Sequence, residues 1–421
     1  MTTDAGSFRA PRGTYDLLPP DSWRWNRLRT LALDDVFAKA GYAPIETPAF
    51  EQTEVFERGV GEASEVVNKQ MYTFTDLGGR SLTLRPEGTA PVMRAVLEHR
   101  LDKGALPVKL AYGSSMYRQE RPQKGRYRQF FQLGVEAIGS DRPTLDAEVI
   151  EIGMRFLRSA GVAPRLLLNS IGHLDDSCRL GYLGSLVEYL KANESKLDKE
   201  DVGRIDSNPL RTFDSKQGGT LKVMESAPLI TDHLCDDCKR HFERVRDLLD
   251  KLNVEYELEP RLVRGLDYYT RTAFEYVAGE LGAQNAVGGG GRYDGLAEAL
   301  GGDPLPGIGF ALGLDRILLA RSHEGGSRAP IDVYVVALGE AAVEAALVLA
   351  SQIRTAGLGA DMDHAGRGMK GQMKDADRSG ARFAAIIGDE ELASNEVTLR
   401  DLASGEQERI PMESLIARVR P

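Results

Sequence analysis

The segment from Arg118 to Arg128 is a cationic loop with one embedded carboxylate, Glu120. It feeds directly into an alternating run. Phe130, Gln132, Gly134 and Glu136 fall on one face of an extended strand; Phe131, Leu133, Val135 and Ala137 fall on the other. The second set is an ordinary core face. The first puts an amide and a carboxylate where a buried sheet would want apolar groups. Guanidinium groups grip phosphate bidentately. Arginines feeding a polar strand face are therefore suited to hold a nucleoside triphosphate beside a small polar substrate. An exposed, salt-bridged hairpin is the other structure this pattern allows.

Further residues carry chemistry of the same kind. Glu87 and Thr89, in Arg85-Pro86-Glu87-Gly88-Thr89, are two apart, so an extended chain points both the same way. A carboxylate with a hydroxyl suits a substrate ammonium group. Thr89 can also cap a helix containing Val92, Met93 and Val96. Gly288 to Gly291 either let backbone approach a ligand closely or form a flexible loop. Gly307 to Ile317 reads as a strand entering a helix, with small residues leaving room for a nucleotide and Arg316 one turn into the helix. His233, Cys235, Cys238 and His241 are ligand types for zinc. They are crowded along one expected helix, whereas structural zinc spreads its ligands over two separated pairs. Free thiols are expected there, and no bound metal.

The elements that must position these residues follow from patterning. A helix capped by Ser22 runs through Trp25, Leu28, Ala32 and Val36 and ends near Gly41. Pro44 and Pro48 confine the next segment to an edge or interface strand. Met71–Thr75 and Ser81–Arg85 read as a hairpin, and Asp141–Ala160 as an amphipathic helix. Residues 171–260 are more polar and helical in rhythm, and read as an insertion domain. Strands and helices alternate as βαβαβ from Ile331 to Ile387. The domains expected are a catalytic core in two parts, 1–170 and 261–325, the insertion 171–260 between them, and a C-terminal domain 329–421.

Composition bounds the class. With 421 residues, 42% hydrophobic and 28% charged, the chain can bury a large core. No apolar run reaches the ~18 residues of a membrane helix, and Met1–Pro20 has no secretory h-region. Three cysteines argue against a disulfide framework. A cytoplasmic enzyme is expected. The net charge of −10 disfavours a general nucleic-acid binder but leaves room for local basic loops on an acidic surface.

The Arg118–Glu136 run resembles the second signature motif of class II aminoacyl-tRNA synthetases, and specifically that of the histidyl-tRNA synthetase family. Arg85–Thr89 and Leu262–Thr272 (Leu-Val-Arg-Gly-Leu-Asp-Tyr-Tyr-Thr-Arg-Thr) match the same family. The Pro48 region resembles the first class II motif and Gly307–Ile317 the third. The resemblance implies an α+β fold, with an antiparallel sheet flanked by helices, a helical insertion and a C-terminal α/β anticodon-binding domain. It implies ATP and L-histidine as substrates, Mg²⁺ with the β- and γ-phosphates, tRNA(His) as partner, and a homodimer. Arg264 and Arg118 take catalytic roles by this analogy. Glu87, Gly88, Thr89, Arg118, Gln132, Glu136, Arg264, Tyr268 and Tyr269 bind histidine; Arg118, Glu120, Phe130 and Arg316 bind ATP. Gln123, Lys124 and Arg126 reach the tRNA acceptor end. Two positions depart from the family: Gly288 replaces a usual cysteine, and Phe131 a frequent histidine. A non-catalytic regulatory paralogue of histidine biosynthesis (an ATP phosphoribosyltransferase regulatory subunit) would lack the tail domain and degrade the Arg264 segment. A class II synthetase for another amino acid would lack the Arg264–Thr272 run.

Overall fold

The computed structural model describes residues 8–61, 64–173, 177–263, 265–279, 285–321 and 331–420. The chain divides into two compact units, one of Met1–Asp16 and Trp25–Glu324, the other of Leu17–Arg24 and Gly325–Pro421.

The strands of the larger unit are β1 (Ala43–Pro44), β2 (Phe50–Gln52), β3 (Tyr72–Thr75), β4 (Ser81–Leu84), β5 (Val108–Tyr117), β6 (Gln129–Ile138), β7 (Arg165–Ser170), β8 (Glu257–Leu258), β9 (Thr270–Val277), β10 (Ala286–Arg292) and β11 (Gly307–Gly313). Eight form one sheet in the order β1-β5-β6-β11-β10-β9-β7-β8. Its interior pairings are antiparallel; β1 on β5 and β8 on β7 add a short parallel strand at each edge. β1 is thus an edge strand, as Pro44 requires. β5 and β6 pair along their whole length, from Val108 opposite Ile138 to Tyr117 opposite Gln129, so the cationic loop is the connection of one long hairpin. β2, β4 and β3 make a small separate sheet.

The alternation of β6 has the expected consequence. Leu133, Val135 and Ala137 enter the main core with Val149, Ile152 and Phe156 of the Pro143–Ser159 helix, which starts on a proline. Phe131 packs edge-on to Trp25, ring centroids 4.4 Å apart, on the side away from Gln132. Within 171–260, the Arg179–Ala192 helix and the short turns after it build a second core cluster around Tyr182, Leu186, Leu190 and Leu210, which also takes in Val263, Tyr269 and Ala273. The Asp236–Lys251 helix instead returns Phe242, Val245 and Leu249 to the main core.

Two local expectations are corrected, and of the two alternatives for Gly288–Gly291 the flexible loop is excluded. Helix begins at Asp21, so Ser22 is its second residue and not its cap; a π-type turn, Leu31–Phe37, carries it on before the chain reverses at Gly41. Thr89 does not cap the Thr89–Glu98 helix, because its hydroxyl is bonded elsewhere; the Glu87 carboxylate accepts the N–H groups of Thr89 and Ala90 in its place. Gly288–Gly291 lie inside β10, a central strand.

In the smaller unit, β12 (Val333–Ala337), β13 (Ala360–Met362) and β14 (Phe383–Ile387) are parallel. Between them run the helices Glu340–Thr355 and Met369–Ser379. β15 (Glu396–Asp401) and β16 (Gln407–Pro411) extend the sheet antiparallel, giving the order β13-β12-β14-β15-β16. The βαβαβ reading stopped short of this last hairpin, whose strands alternate weakly because β16 is largely exposed.

Candidate active site

One side of the large sheet carries a cavity of about 360 Å³ lined from β4's end, β5, β6, β10, β11, the cationic loop and the Tyr268–Tyr269 segment. Glu87, Gly88, Thr89, Arg118, Glu120, Arg126, Phe130, Gln132, Tyr268, Tyr269 and Arg316 all line it. Residues almost 230 positions apart in sequence are thereby brought together, as the strand order demands. Arg264 lies outside the described residues. Gln123 and Lys124 are exposed in a tight turn, with Gln123 N donating to Arg126 O at 3.1 Å and Gly125 at φ +74°.

The residues fall into two chemical groups. The first is cationic. Arg118 donates from Nε to the Pro86 carbonyl at 2.8 Å and sits 5.2 Å from the Phe130 ring centroid, so its guanidinium is already stacked on the ring assigned to adenine. Glu120 lies between Arg118 (3.7 Å) and Arg126 (3.4 Å). Burial pushes the Arg316 guanidinium down from its ordinary value, and the nearby Arg126 charge pushes it further; Glu275 and Glu120 oppose this. Cations held at such cost are relieved by a polyanion.

The second group is acidic and hydroxylic. Glu87 is 4% exposed and accepts from Thr89 N at 2.7 Å and Ala90 N at 2.9 Å, at a helix N-terminus that favours its charge. Burial nevertheless raises its pKa, with those two N–H groups and Arg118 working the other way. Tyr268 Oη is 3.4 Å from it. The Gln132 side-chain oxygen is buried and accepts no hydrogen bond among the described residues. Gly88 is required as such: a Cβ there would come within 2.4 Å of the Tyr112 ring.

Glu136 departs from its expected place. It is fully buried and does not line the cavity. It lies beneath the floor, accepting from Tyr293 Oη at 2.6 Å, Thr89 Oγ1 at 2.8 Å and Tyr112 Oη at 3.4 Å. Burial pushes its pKa up to about 8 despite those donors. Sequence reasoning saw the strand face correctly but not the depth, because β11 packs Gly309 against this carboxylate and closes it off.

Some cavity residues were missed. Tyr112 faces Gly134 across the β5–β6 pair, and Gly134 has no room for a Cβ beside that ring. A lone glycine on an otherwise large-residue face was the available signal. Asp315 holds both the Tyr15 hydroxyl and Phe131 N, the latter at 3.1 Å. At the departing position Gly288, a Cβ would lie 2.4 Å from the Ala311 carbonyl.

A central antiparallel sheet, with a long hairpin and a strand–helix unit delivering arginines to one cavity, defines a class II aminoacyl-tRNA synthetase core. The histidyl-tRNA synthetase family model matches residues 13–317 and an anticodon-binding domain model matches residues 332–421. The chain is 51% identical to a histidine–tRNA ligase of Nocardia farcinica over 99% of both chains, and 48% identical to one of Halothermothrix orenii over 97% of this chain and 98% of that one. The solved apo histidyl-tRNA synthetase of S. aureus is 38% identical, with a TM-score of 0.82 over 98% of this chain and 100% of that one. The chain therefore belongs to the histidyl-tRNA synthetase family.

Proposed function

We infer that the chain is a histidine–tRNA ligase: it activates L-histidine with ATP to histidyl-adenylate and pyrophosphate, then passes histidine to the 3′ end of tRNA(His). The observation that carries the substrate side is the orphaned Gln132 oxygen beside buried Glu87. A buried acceptor without a donor is costly, and a bound α-ammonium satisfies both groups at once. Thr89 completes that end. Tyr269 faces the imidazole. Glu136 acts at one remove, as a positioning residue that holds the Thr89, Tyr112 and Tyr293 hydroxyls.

Activation sets one anion against another. Histidine's carboxylate attacks the α-phosphorus in line, pyrophosphate leaves, and negative charge builds on the phosphorus oxygens. Fixed cations stabilise that charge without reorganising. Arg118 takes this role, anchored by Pro86 and Phe130, together with Arg264 by family analogy. Arg316 takes the γ-phosphate, Phe130 the adenine face and Glu120 its amine. Mg²⁺ fits the carboxylate oxygens of Glu275 on this wall and would neutralise the β- and γ-phosphates. Gln123, Lys124 and Arg126 extend toward the acceptor end; in addition, Arg126 reaches into the cavity wall.

The core parts 1–170 and 261–325, the insertion 171–260 and the anticodon-binding domain 329–421 are the domains of this reading. Its site is the cytoplasm, where tRNA is charged. A homodimer is supported by the exposed aromatic pair Phe50 and Phe74, 6.2 Å apart beside the Pro48 segment. The regulatory-paralogue reading is disfavoured by the intact Arg264–Thr272 run of the sequence and by the tail domain.

Histidine-dependent ATP–pyrophosphate exchange, with other amino acids as controls, tests the assignment; exchange driven equally by another amino acid overturns it. Arg264→Ala should slow single-turnover adenylate formation by ~10² or more with folding intact. Near-normal adenylation by that variant would remove Arg264 from catalysis.

A further inference from the structure

All three cysteines of this chain come together at one point. The thiol sulfurs of Cys178, Cys235 and Cys238 and the Nδ1 of His173 lie within 4.8 Å of one another. His173 Nδ1 is 3.0 Å from Cys238 Sγ and 3.7 Å from Cys235 Sγ. Cys178 and Cys238 are each 1% exposed. We propose that these four side chains bind one Zn²⁺ ion as a structural Cys₃His site.

The chemistry fits zinc. Three soft sulfur ligands with an imidazole are a set that zinc takes in closed tetrahedral sites. With Zn–S near 2.3 Å, the sulfurs of such a tetrahedron stand about 3.8 Å apart, within reach of the present separations by side-chain rotation. The ligands come as two separated pairs, His173 with Cys178 and Cys235 with Cys238. That separation was missing from the crowded His233-to-His241 reading. His233 packs tilted against Tyr182 instead, ring centroids 5.4 Å apart, and His241 Nε2 donates to the Asp146 carboxylate at 2.9 Å. The expectation of free thiols weighed only His233 and His241, and not His173.

The surroundings are built for the site. Cys235 is the N-cap of the Asp236–Lys251 helix, its sulfur accepting from Cys238 N at 3.5 Å, so backbone N–H and the positive helix end both favour thiolate. Gly172, at φ +63°, leaves space that a Cβ would take: it would stand 2.7 Å from Cys178 Sγ. Binding releases the three thiol protons, and the resulting complex carries one negative charge. Arg179, next in the chain to Cys178, is 9% exposed, and its Nε has no hydrogen-bond partner among the described residues. It balances that charge. A disulfide would use two of the sulfurs and leave the third thiol and the imidazole without purpose.

The site joins three segments: the end of β7, the start of the Arg179–Ala192 helix and the start of the Asp236–Lys251 helix. It also stands close to the cavity, since Arg179 donates from Nη1 to the Tyr269 carbonyl at 2.6 Å. Zinc here fixes the insertion to the core beside the histidine-binding wall.

The test uses the full chain, purified without chelator and without a polyhistidine tag. Elemental analysis should find about one zinc per chain. After chelator treatment under reductant, Co²⁺ should restore about one equivalent with thiolate-to-cobalt charge-transfer bands and the intense visible bands of tetrahedral cobalt. Cys235→Ser and His173→Ala should lose stoichiometric binding, while His233→Ala keeps it. The proposal is overturned if the reduced wild-type chain binds neither Zn²⁺ nor Co²⁺ stoichiometrically. It is equally overturned if mass analysis of the untreated protein finds a disulfide, or if His233→Ala abolishes binding and His173→Ala does not. The wild-type measurements decide the matter even where a variant fails to fold.

Discussion

Glu87 and Glu136 are both buried acids with raised pKa values, yet they answer to pH in different ways. Glu87 faces the cavity and must be ionised to hold an ammonium. Because burial raises its pKa, it protonates above the ordinary glutamate range as pH falls. The KM for histidine should therefore rise on acidification, starting above the pH at which an ordinary glutamate would protonate. Glu87→Gln should bind histidine more weakly throughout and retain only the dependence that comes from histidine's own imidazole. Equal pH profiles for the two proteins would take Glu87 out of ammonium binding. Glu136 meets no ligand, so its titration appears in stability. Its folded pKa is about 8 against an ordinary 4.5, so between those values the folded state holds a proton that the unfolded state has lost. Stability contributed by the protonated form is complete below the ordinary value and lost as pH rises to about 8. Glu136→Gln cannot ionise. Its urea midpoint should fall less steeply than the wild type's across that window; parallel slopes would show that Glu136 ionises normally.

At the scale of elements, the sheet is secured by a charge buried at its centre. Asp146, on the Pro143–Ser159 helix, is fully buried and accepts from Arg292 Nε at 3.0 Å and Nη2 at 2.5 Å, from Thr272 Oγ1 at 2.6 Å, and lies 2.9 Å from His241 Nε2. Burial works to raise its pKa, but Arg292 and His241 outweigh it and hold the carboxyl below its usual range. One ion cluster thus ties β9, β10 and two helices. Arg292→Met should cost about 3–5 kcal/mol, because it strands a buried carboxylate. Chemical denaturation measures this, and a loss below about 1 kcal/mol would show that water reaches Asp146. None of this was legible in the sequence, where Arg292 appeared only as the residue after four glycines. The strands themselves were legible wherever alternation or a turn marked them: β3, β4, β6, β12 and β14 stand about where patterning put them. The cavity wall was legible in part, since Glu87, Gln132 and Arg316 sit in motifs that local pattern already singled out. What failed was depth and pairing. Period-two alternation tells which face Glu136 occupies, but not that β11 covers it, and spacing along the chain does not show that His173 and Cys178 lie beside Cys235 and Cys238.

For the molecule as a whole, the two units have separate cores, so their tasks should separate. Ending the chain at Ser327 should leave residual histidine activation and sharply lower kcat/KM for tRNA. Charging should also weaken more than activation as salt rises, because phosphate contacts release counterions. Unchanged charging by the truncated chain would refute an anticodon-reading role for the tail. The glycine strand β10 sets a different kind of limit. Gly290 and Gly291 stand so close to the backbone of β11 and β9 that an added Cβ would lie 1.9 Å from the Gly309 carbonyl in one case and 2.5 Å from the Thr272 carbonyl in the other. Substitution there is all-or-none: the ladder either holds or splits. These positions offer no graded way to reshape the ligand space. An engineer seeking a different amino acid for this pocket would have to leave these two glycines alone and work from the lining residues Tyr268, Tyr269 and Gln132.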